Sequence, residues 1–175
     1  YYGIAADSPI AIDSMLKKAT ADNDVVLLSG GVSMGDFDLV PGILRENGFK
    51  LLFEKVAIKP GKPTVFAVCK DKFCFGLPGN PVSTFVVFEV LVRPFLCRMM
   101  GGDSRPFTVP MRLEKTIRRH RTERMSWIPV KLTQHGGVVP VEYHGSAHIN
   151  ALCGADGITA IPIGVAEVKK GTTVN

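Results

Sequence analysis

The chain has 175 residues, 46% hydrophobic and 21% charged, with a formal net charge of +5. That composition excludes a disordered chain, and the absence of any run of about 18 uncharged apolar residues excludes a helical membrane span. At this length folding buries roughly 70% of the unfolded chain's surface, enough for one sizeable domain or two small ones.

The first 101 residues alternate in type. YYGIAA reads as a strand. SPIAIDSMLKKATA reads as a helix with Ser8 at the N-cap and Pro9 in the first helical position. DVVLLS is a short apolar strand of the kind covered on both faces. DLVPGILREN is a short helix capped by Asp38 and stopped by Gly48. FKLLFEKVAI, TVFAVC and KFCFGL are three more strands, the last two split by a Lys-Asp turn. PVSTFVVFEVLVRPFLCRMM is a long buried helix, bent or ended near Pro94. Strands alternating with helices predict an α/β domain around a mostly parallel sheet with helices on both faces, three layers in all.

GGDSRP, at 101–106, marks a change of character. Short strands with turn signals follow, broken by one helix around SAHINALC, and predict a small β-barrel. The expected domains are 1–101 and 102–175. Between Arg112 and Lys131 stand seven basic residues against two acidic ones, a surplus of five that equals the whole chain's. Only Trp127 is interleaved with them, so the segment reads as a solvated hairpin and not as a nucleic-acid surface. The cysteines at 69, 74, 97 and 153 lack C-x-x-C spacing and sit in apolar contexts, which predicts buried thiols in a reducing cytoplasm. YYGIAADSP has neither the basic n-region nor the apolar core of a secretory leader.

Three loops carry the chemistry. The first, SGGVSMGDFD, holds Gly31-x-Ser33-x-Gly35, the pattern of a serine-hydrolase elbow. The triad fails, because all four histidines lie beyond residue 102, no HGGG-like segment precedes the loop, and Asp36 and Asp38 would crowd an oxyanion. An anion cradle fits better: Gly30, Gly31 and Gly35 admit close backbone approach, Ser29 and Ser33 offer hydroxyls, and the aspartates suit a hard cation such as Mg²⁺. The second loop, EKVAIKPGKP, places Lys55 and Lys59 on one face of an expected strand, with Lys62 after a Pro60-Gly61 turn. The third, GLPGNPVS, is stiffened by Pro78 and Pro81; Gly79 allows the turn and Asn80 is expected to cap the next helix. All three follow strands, and a parallel sheet would set them along one edge. Together they predict a site for a phosphorylated, polyanionic ligand with a divalent metal. His144 and His148 form no convincing zinc pair, because Gly145 and Ser146 between them oppose a helix.

SGGVSMGDFD, KVAIKPGKP and GLPGNPVS, in this order and spacing, resemble the molybdopterin molybdenumtransferase family, whose members include bacterial MoeA and the E domain of gephyrin. The end, HGSAH followed by GITAIPIGVAEVKKGTTV, resembles that family's C-terminus. The resemblance covers essentially the whole chain. It implies a molybdopterin-binding α/β domain and a β-barrel, and an enzyme of molybdenum cofactor assembly. Such an enzyme inserts molybdate into adenylylated molybdopterin and releases AMP with Mg²⁺. The resemblance implies catalytic roles for Asp38, Lys55 and Lys59, and metal binding by Asp38 and Asp7. It implies contacts with the pterin substrate from Pro78, Pro81 and Ser146, to which the three loops add Gly30, Gly31, Ser33, Gly35, Lys62, Gly79 and Asn80. It also implies a molybdopterin adenylyltransferase as partner, a homodimer for full-length members, and a cytoplasmic location.

Two departures accompany the resemblance. Family chains are more than twice as long, so a C-terminal fragment incomplete for catalysis is expected, lacking the first strand-helix unit of the α/β domain. Where the family tends to have R-x-[DE]-F-x-R, this chain has Arg124 at the aromatic position and Ser126 at the final arginine; Arg121 and Arg124 are the candidates to supply the charge. A non-catalytic pterin-binding or scaffold module is the alternative function. A nucleotide-processing relative such as the competence-damage proteins is disfavoured by KPGKP and LPGNPVS followed by a β-rich domain.

Overall fold

A computed structural model describes residues 1–32, 39–103, 107–141 and 149–175. It divides into two compact units, one made of Tyr1–Val56 and Gly61–Val87, the other of Ala57–Pro60 and Phe88–Asn175.

In the first unit, α1 spans Pro9–Asp22, and Ser8 Oγ accepts the Ala11 N–H at 3.3 Å, as the cap expectation requires. Ile12, Leu16 and Ala19 recur on one face and are buried. The strands β1 (Val25–Ser29), β2 (Lys50–Phe53), β4 (Val65–Cys69) and β5 (Lys72–Leu77) form a sheet in the order β1-β5-β4-β2. The short β3 (Ile58–Lys59) belongs to the other unit. β1 runs parallel to β5, with Val25 opposite Phe73 and Ser29 opposite Leu77. The other two pairings, β4 with β5 and β2 with β4, are antiparallel. The described sheet is therefore mixed and not mostly parallel. Its two-residue Lys70-Asp71 turn, with Lys70 at φ 53, can only join antiparallel neighbours.

Helix α2 (Val40–Glu46) starts from Leu39, whose side chain makes no cap, and Gly48 follows its end at φ 78; the expected cap Asp38 lies outside the described residues. α1 and α2 bury Leu16, Ile43 and Leu44 against Val26, Val65, Ala67 and Cys74 of the sheet. Burial pushes the Cys74 thiol up to about 12. Of the four cysteines only Cys74 is buried; Cys69 and Cys97 are half-buried and Cys153 is exposed. Phe66 stacks against Phe73 and Phe75, and with Phe53 completes an aromatic column. Tyr1–Ala6 is not a strand: its backbone enters no ladder, and the Tyr2 hydroxyl instead donates to Asp22 Oδ2 at 2.9 Å.

The long apolar helix is broken into α3 (Pro81–Val87), a π-helical turn (Phe88–Val92) and α4 (Arg93–Met99). The wide turn lies directly ahead of Pro94, whose missing N–H and bulky ring cannot continue the regular ladder.

The second unit is built on β3, β6 (Met111–Leu113), β8 (Met125–Leu132), β9 (Gly137–Pro140), β10 (Gly157–Ile161) and β12 (Thr173–Val174). The order is β10-β8-β9-β6-β12, with β3 beside β8. The strands β7 (Ile117–Arg118) and β11 (Glu167–Val168) pair separately. Leu113, Ile117, Val130, Val138 and Ile161 form its core. Among the described residues no ladder joins β10 to β12. The Thr159 hydroxyl of β10 donates to the carbonyl of Asn175, next to β12, at 2.8 Å, and the described strands form a curled sheet. The helix expected at SAHINALC is a 3₁₀ turn over Ile149–Gly154. No helix among the described residues is long and apolar enough to cross a membrane.

Candidate functional site

Because β1 and β5 are neighbours and parallel, their C-terminal ends deliver the first and third loops to the same edge of the sheet. The loops are bonded to each other there. The Gly30 N–H donates to the Leu77 carbonyl at 3.0 Å, and the Ser29 hydroxyl donates to the Pro78 carbonyl at 3.2 Å. Gly30 holds φ 94 and Gly31 φ 65, values that L side chains rarely adopt. A Cβ on Gly79 would stand 3.4 Å from Gly30 Cα, so a side chain there would fill the space beside the first loop. At its far end the first loop is closed by the Val40 N–H donating to the Gly31 carbonyl at 3.2 Å.

Pro81 opens α3, as expected. The Asn80 cap does not form. Asn80 Oδ1 is buried and has no hydrogen-bond partner among the described residues. The Thr84 hydroxyl takes over the local tie, donating to the carbonyls of Pro78 and, at 3.0 Å, Asn80. An unpartnered buried oxygen is costly and calls for a donor from elsewhere. Sequence reasoning missed Thr84. Its only signal was a hydroxyl four residues after the presumed cap, within reach of that residue's carbonyl.

The second loop is divided. Lys55 and Lys59 do not share a strand face, because β2 ends at Phe53 and the chain turns, with Val56 N–H donating to the Lys62 carbonyl at 3.0 Å. The Thr64 hydroxyl donates to the Gly61 carbonyl at 2.7 Å and fixes that turn. Lys55 and Lys62 are exposed in the first unit; Lys59 is exposed in β3 of the second, opposite Ser126 of β8. Asp7 is exposed just ahead of the α1 cap. Ser33, Gly35, Asp38 and Ser146, with His144 and His148, lie outside the described residues. Among the described residues no three His, Cys, Asp or Glu side chains gather as a metal cluster.

At the expected family arginine, Ser126 is buried, and its hydroxyl accepts from Arg119 Nη1 at 2.7 Å. Arg119 also donates to the carbonyls of Arg124 at 2.9 Å, Val165 at 2.8 Å and Pro162 at 2.7 Å. The guanidinium bonded to Ser126 is that of Arg119, while Arg124 Nη1 donates to the Ile58 carbonyl of β3 at 3.4 Å.

Comparison with known families decides the kinship. Residues 1–98 match the model of a probable molybdopterin binding domain, and residues 112–175 that of the MoeA C-terminal region, domain IV. This chain belongs to the molybdopterin molybdenumtransferase family. A molybdopterin molybdenumtransferase of Staphylococcus epidermidis is 32% identical over 167 residues, and one of Staphylococcus aureus is 34% identical. Each alignment takes in 92% of this chain and 39% of the relative, so the chain spans about two fifths of these transferases' length. A crystal structure of a molybdopterin biosynthesis MoeA protein from Pyrococcus horikoshii superposes with a TM-score of 0.83 at 33% identity. It matches 99% of this chain and 41% of its own. A molybdenum cofactor biosynthesis protein from Pyrococcus furiosus gives 0.79 at 25% identity, over 55% of its length. Both bonded loops of this family member lie inside the molybdopterin-binding match.

Proposed function

We propose that the chain acts in molybdenum cofactor biosynthesis, taking adenylylated molybdopterin and molybdate as substrates, inserting molybdate at the dithiolene sulfurs and releasing AMP. The observation that carries this reading is the bonded pair of loops at the sheet edge with the orphan Asn80 Oδ1 beside it. A pterin ring offers N–H donors for that oxygen, and two side-chain-free backbones leave room for a bulky, anionic ligand.

In this reading Gly30, Gly31, Ser33, Gly35, Lys62, Pro78, Gly79, Asn80, Pro81 and Ser146 hold the pterin substrate. Lys55 and Lys59 compensate the molybdate and phosphate charge, and Asp38 acts in the transfer. Asp38 and Asp7 would hold Mg²⁺, which usually takes one or two protein carboxylates and completes its shell from phosphate oxygens and water. The metal would neutralise charge on the phosphates. The proposed functional division is 1–101 for pterin binding and 102–175 as the accessory β domain, whereas the compact units part at Val87 and assign Ala57–Pro60 to the second. A molybdopterin adenylyltransferase as donor partner, a homodimer and a cytoplasmic setting belong to the same proposal.

One second reading is a module that binds the pterin without turning it over. AMP release by the purified chain, given adenylylated molybdopterin, Mg²⁺ and molybdate, separates the two. The transferase reading expects release that Asp38→Ala abolishes. Binding without release supports the module, and no binding overturns both.

A further inference from the structure

We propose that Thr84 and Ser29 are positioning residues that set the register of the two bonded loops, and so tune the affinity for the pterin substrate. The inference rests on the function proposed above. Both hydroxyls donate to one acceptor, the carbonyl of Pro78. Ser29 comes from the end of β1 and Thr84 from α3, so that oxygen is held from the sheet and from the helix at once. A carbonyl oxygen has two lone pairs, and these two donors account for both. Pro78 is buried, so losing either hydroxyl leaves its oxygen under-satisfied and free to swing out of place.

The geometry gives the pair leverage. Pro78 sits between Leu77, which accepts from Gly30, and Gly79, where a Cβ would stand 3.4 Å from Gly30 Cα. Asn80 follows, and its carbonyl shares the single Thr84 hydroxyl proton with Pro78, 3.0 Å from Oγ1. A shift at Pro78 therefore moves the glycine contact and the orphan Asn80 oxygen together. Ser29 is absorbed by this tie and is not a ligand donor. Among the described residues Pro81 offers no N–H and the Asn80 cap is not made, so these two hydroxyls anchor the loop.

The test uses Thr84→Val, which keeps the shape and loses the hydroxyl, with Ser29→Ala, the double variant, and Thr84→Ser as the conservative rescue. Two readouts are taken on the full chain: exchange of the Gly30 amide proton, and the dissociation constant for adenylylated molybdopterin. Loss of one such bond predicts about tenfold faster Gly30 exchange and about tenfold weaker binding. Thr84→Ser should restore both, and the double variant should fall short of the product of the singles because the two hydroxyls serve one oxygen. Gly30 exchange unchanged in both single variants overturns the tie. Faster exchange with unchanged affinity overturns the positioning role. If Thr84→Val fails to fold, Ser29→Ala and Thr84→Ser decide the same questions. A wild-type chain that binds no pterin sinks the proposed function, while exchange alone still decides the tie.

Discussion

Val32 packs onto the bare backbone of Gly76: a Cβ built on Gly76 would stand 2.7 Å from Val32 Cγ1 and 3.2 Å from Val65 Cβ. Val32 follows the two glycines of the first loop and is 5% exposed, while Gly76 lies within β5. The missing side chain on the strand is thus what lets the first loop fold back onto the sheet. Gly76→Ala should overpack this point and cost about 1–3 kcal/mol. Val32→Ala alone should cost about 1–3 kcal/mol through its cavity. Placed together, the two changes should recover part of the loss, because the added methyl takes the vacated space. Urea midpoints of the four proteins measure this; strictly additive losses would refute the contact.

Asn80 gives the opposite sign. Its Oδ1 is buried without a partner, so the free protein carries the desolvation cost of that oxygen. Asn80→Ala should leave the thermal midpoint unchanged or raise it. The same change should weaken binding of adenylylated molybdopterin by about tenfold, the value of one lost hydrogen bond. Calorimetry and a binding titration on the same sample report both quantities. A lower midpoint would mean that Asn80 supports the fold and leaves no acceptor in reserve.

Much of this was legible in the residues, and the failures have local causes. Ser8-Pro9 marked the start of α1, and Gly48 the stop after α2, because caps and turns are decided by neighbours in sequence. Pro94 marked the disturbance in the long helix for the same reason. Pairing is decided at a distance, and there the reading failed. FKLLFEKVAI looks like one strand, yet β2 and β3 pair in different sheets, so Lys55 and Lys59 lose their shared face. Lys70-Asp71 was recognised as a turn without the consequence that β4 and β5 must then be antiparallel. Glycine and proline announced both bonded loops, but a hydroxyl four residues after Asn80 is a weak signal for a carbonyl tie, so Thr84 went unseen.

Asp13 ties α1 to the end of α2. Its Oδ2 accepts from Lys17 Nζ and its Oδ1 from Asn47 Nδ2, each at 2.7 Å. The bond from Lys17, and next that from Asn47, hold its carboxyl below the usual carboxylate range. A group with a lowered folded pKa adds stability above its unfolded value, near 4, and loses it as pH falls through the folded one. Asp13→Asn should therefore flatten the decline of the urea midpoint below about pH 4. The contribution is small because the carboxyl is exposed, and added salt should shrink it further. An unchanged acid slope in Asp13→Asn would place the acid sensitivity elsewhere.

Arg119 and Ser126 make a prediction about exchangeable charge. The Arg119 guanidinium joins Ser126 of β8 to the carbonyls of Pro162 and Val165, between β10 and β11. Arg119→Ala strands these acceptors and should cost about 2–3 kcal/mol. Ser126→Arg, which installs the arginine expected from the family pattern, forces a second guanidinium into a buried position beside the first. Like charges repel there and the side chain has no free acceptor, so this single change should destabilise strongly. Pairing it with Arg119→Ser vacates the carbonyls for the new guanidinium and should recover much of the loss. Thermal midpoints of the single variants and the swap test the idea. A swap no better than Ser126→Arg alone would mean that the cation must enter from residue 119, and that the two positions are not alternatives for one charge.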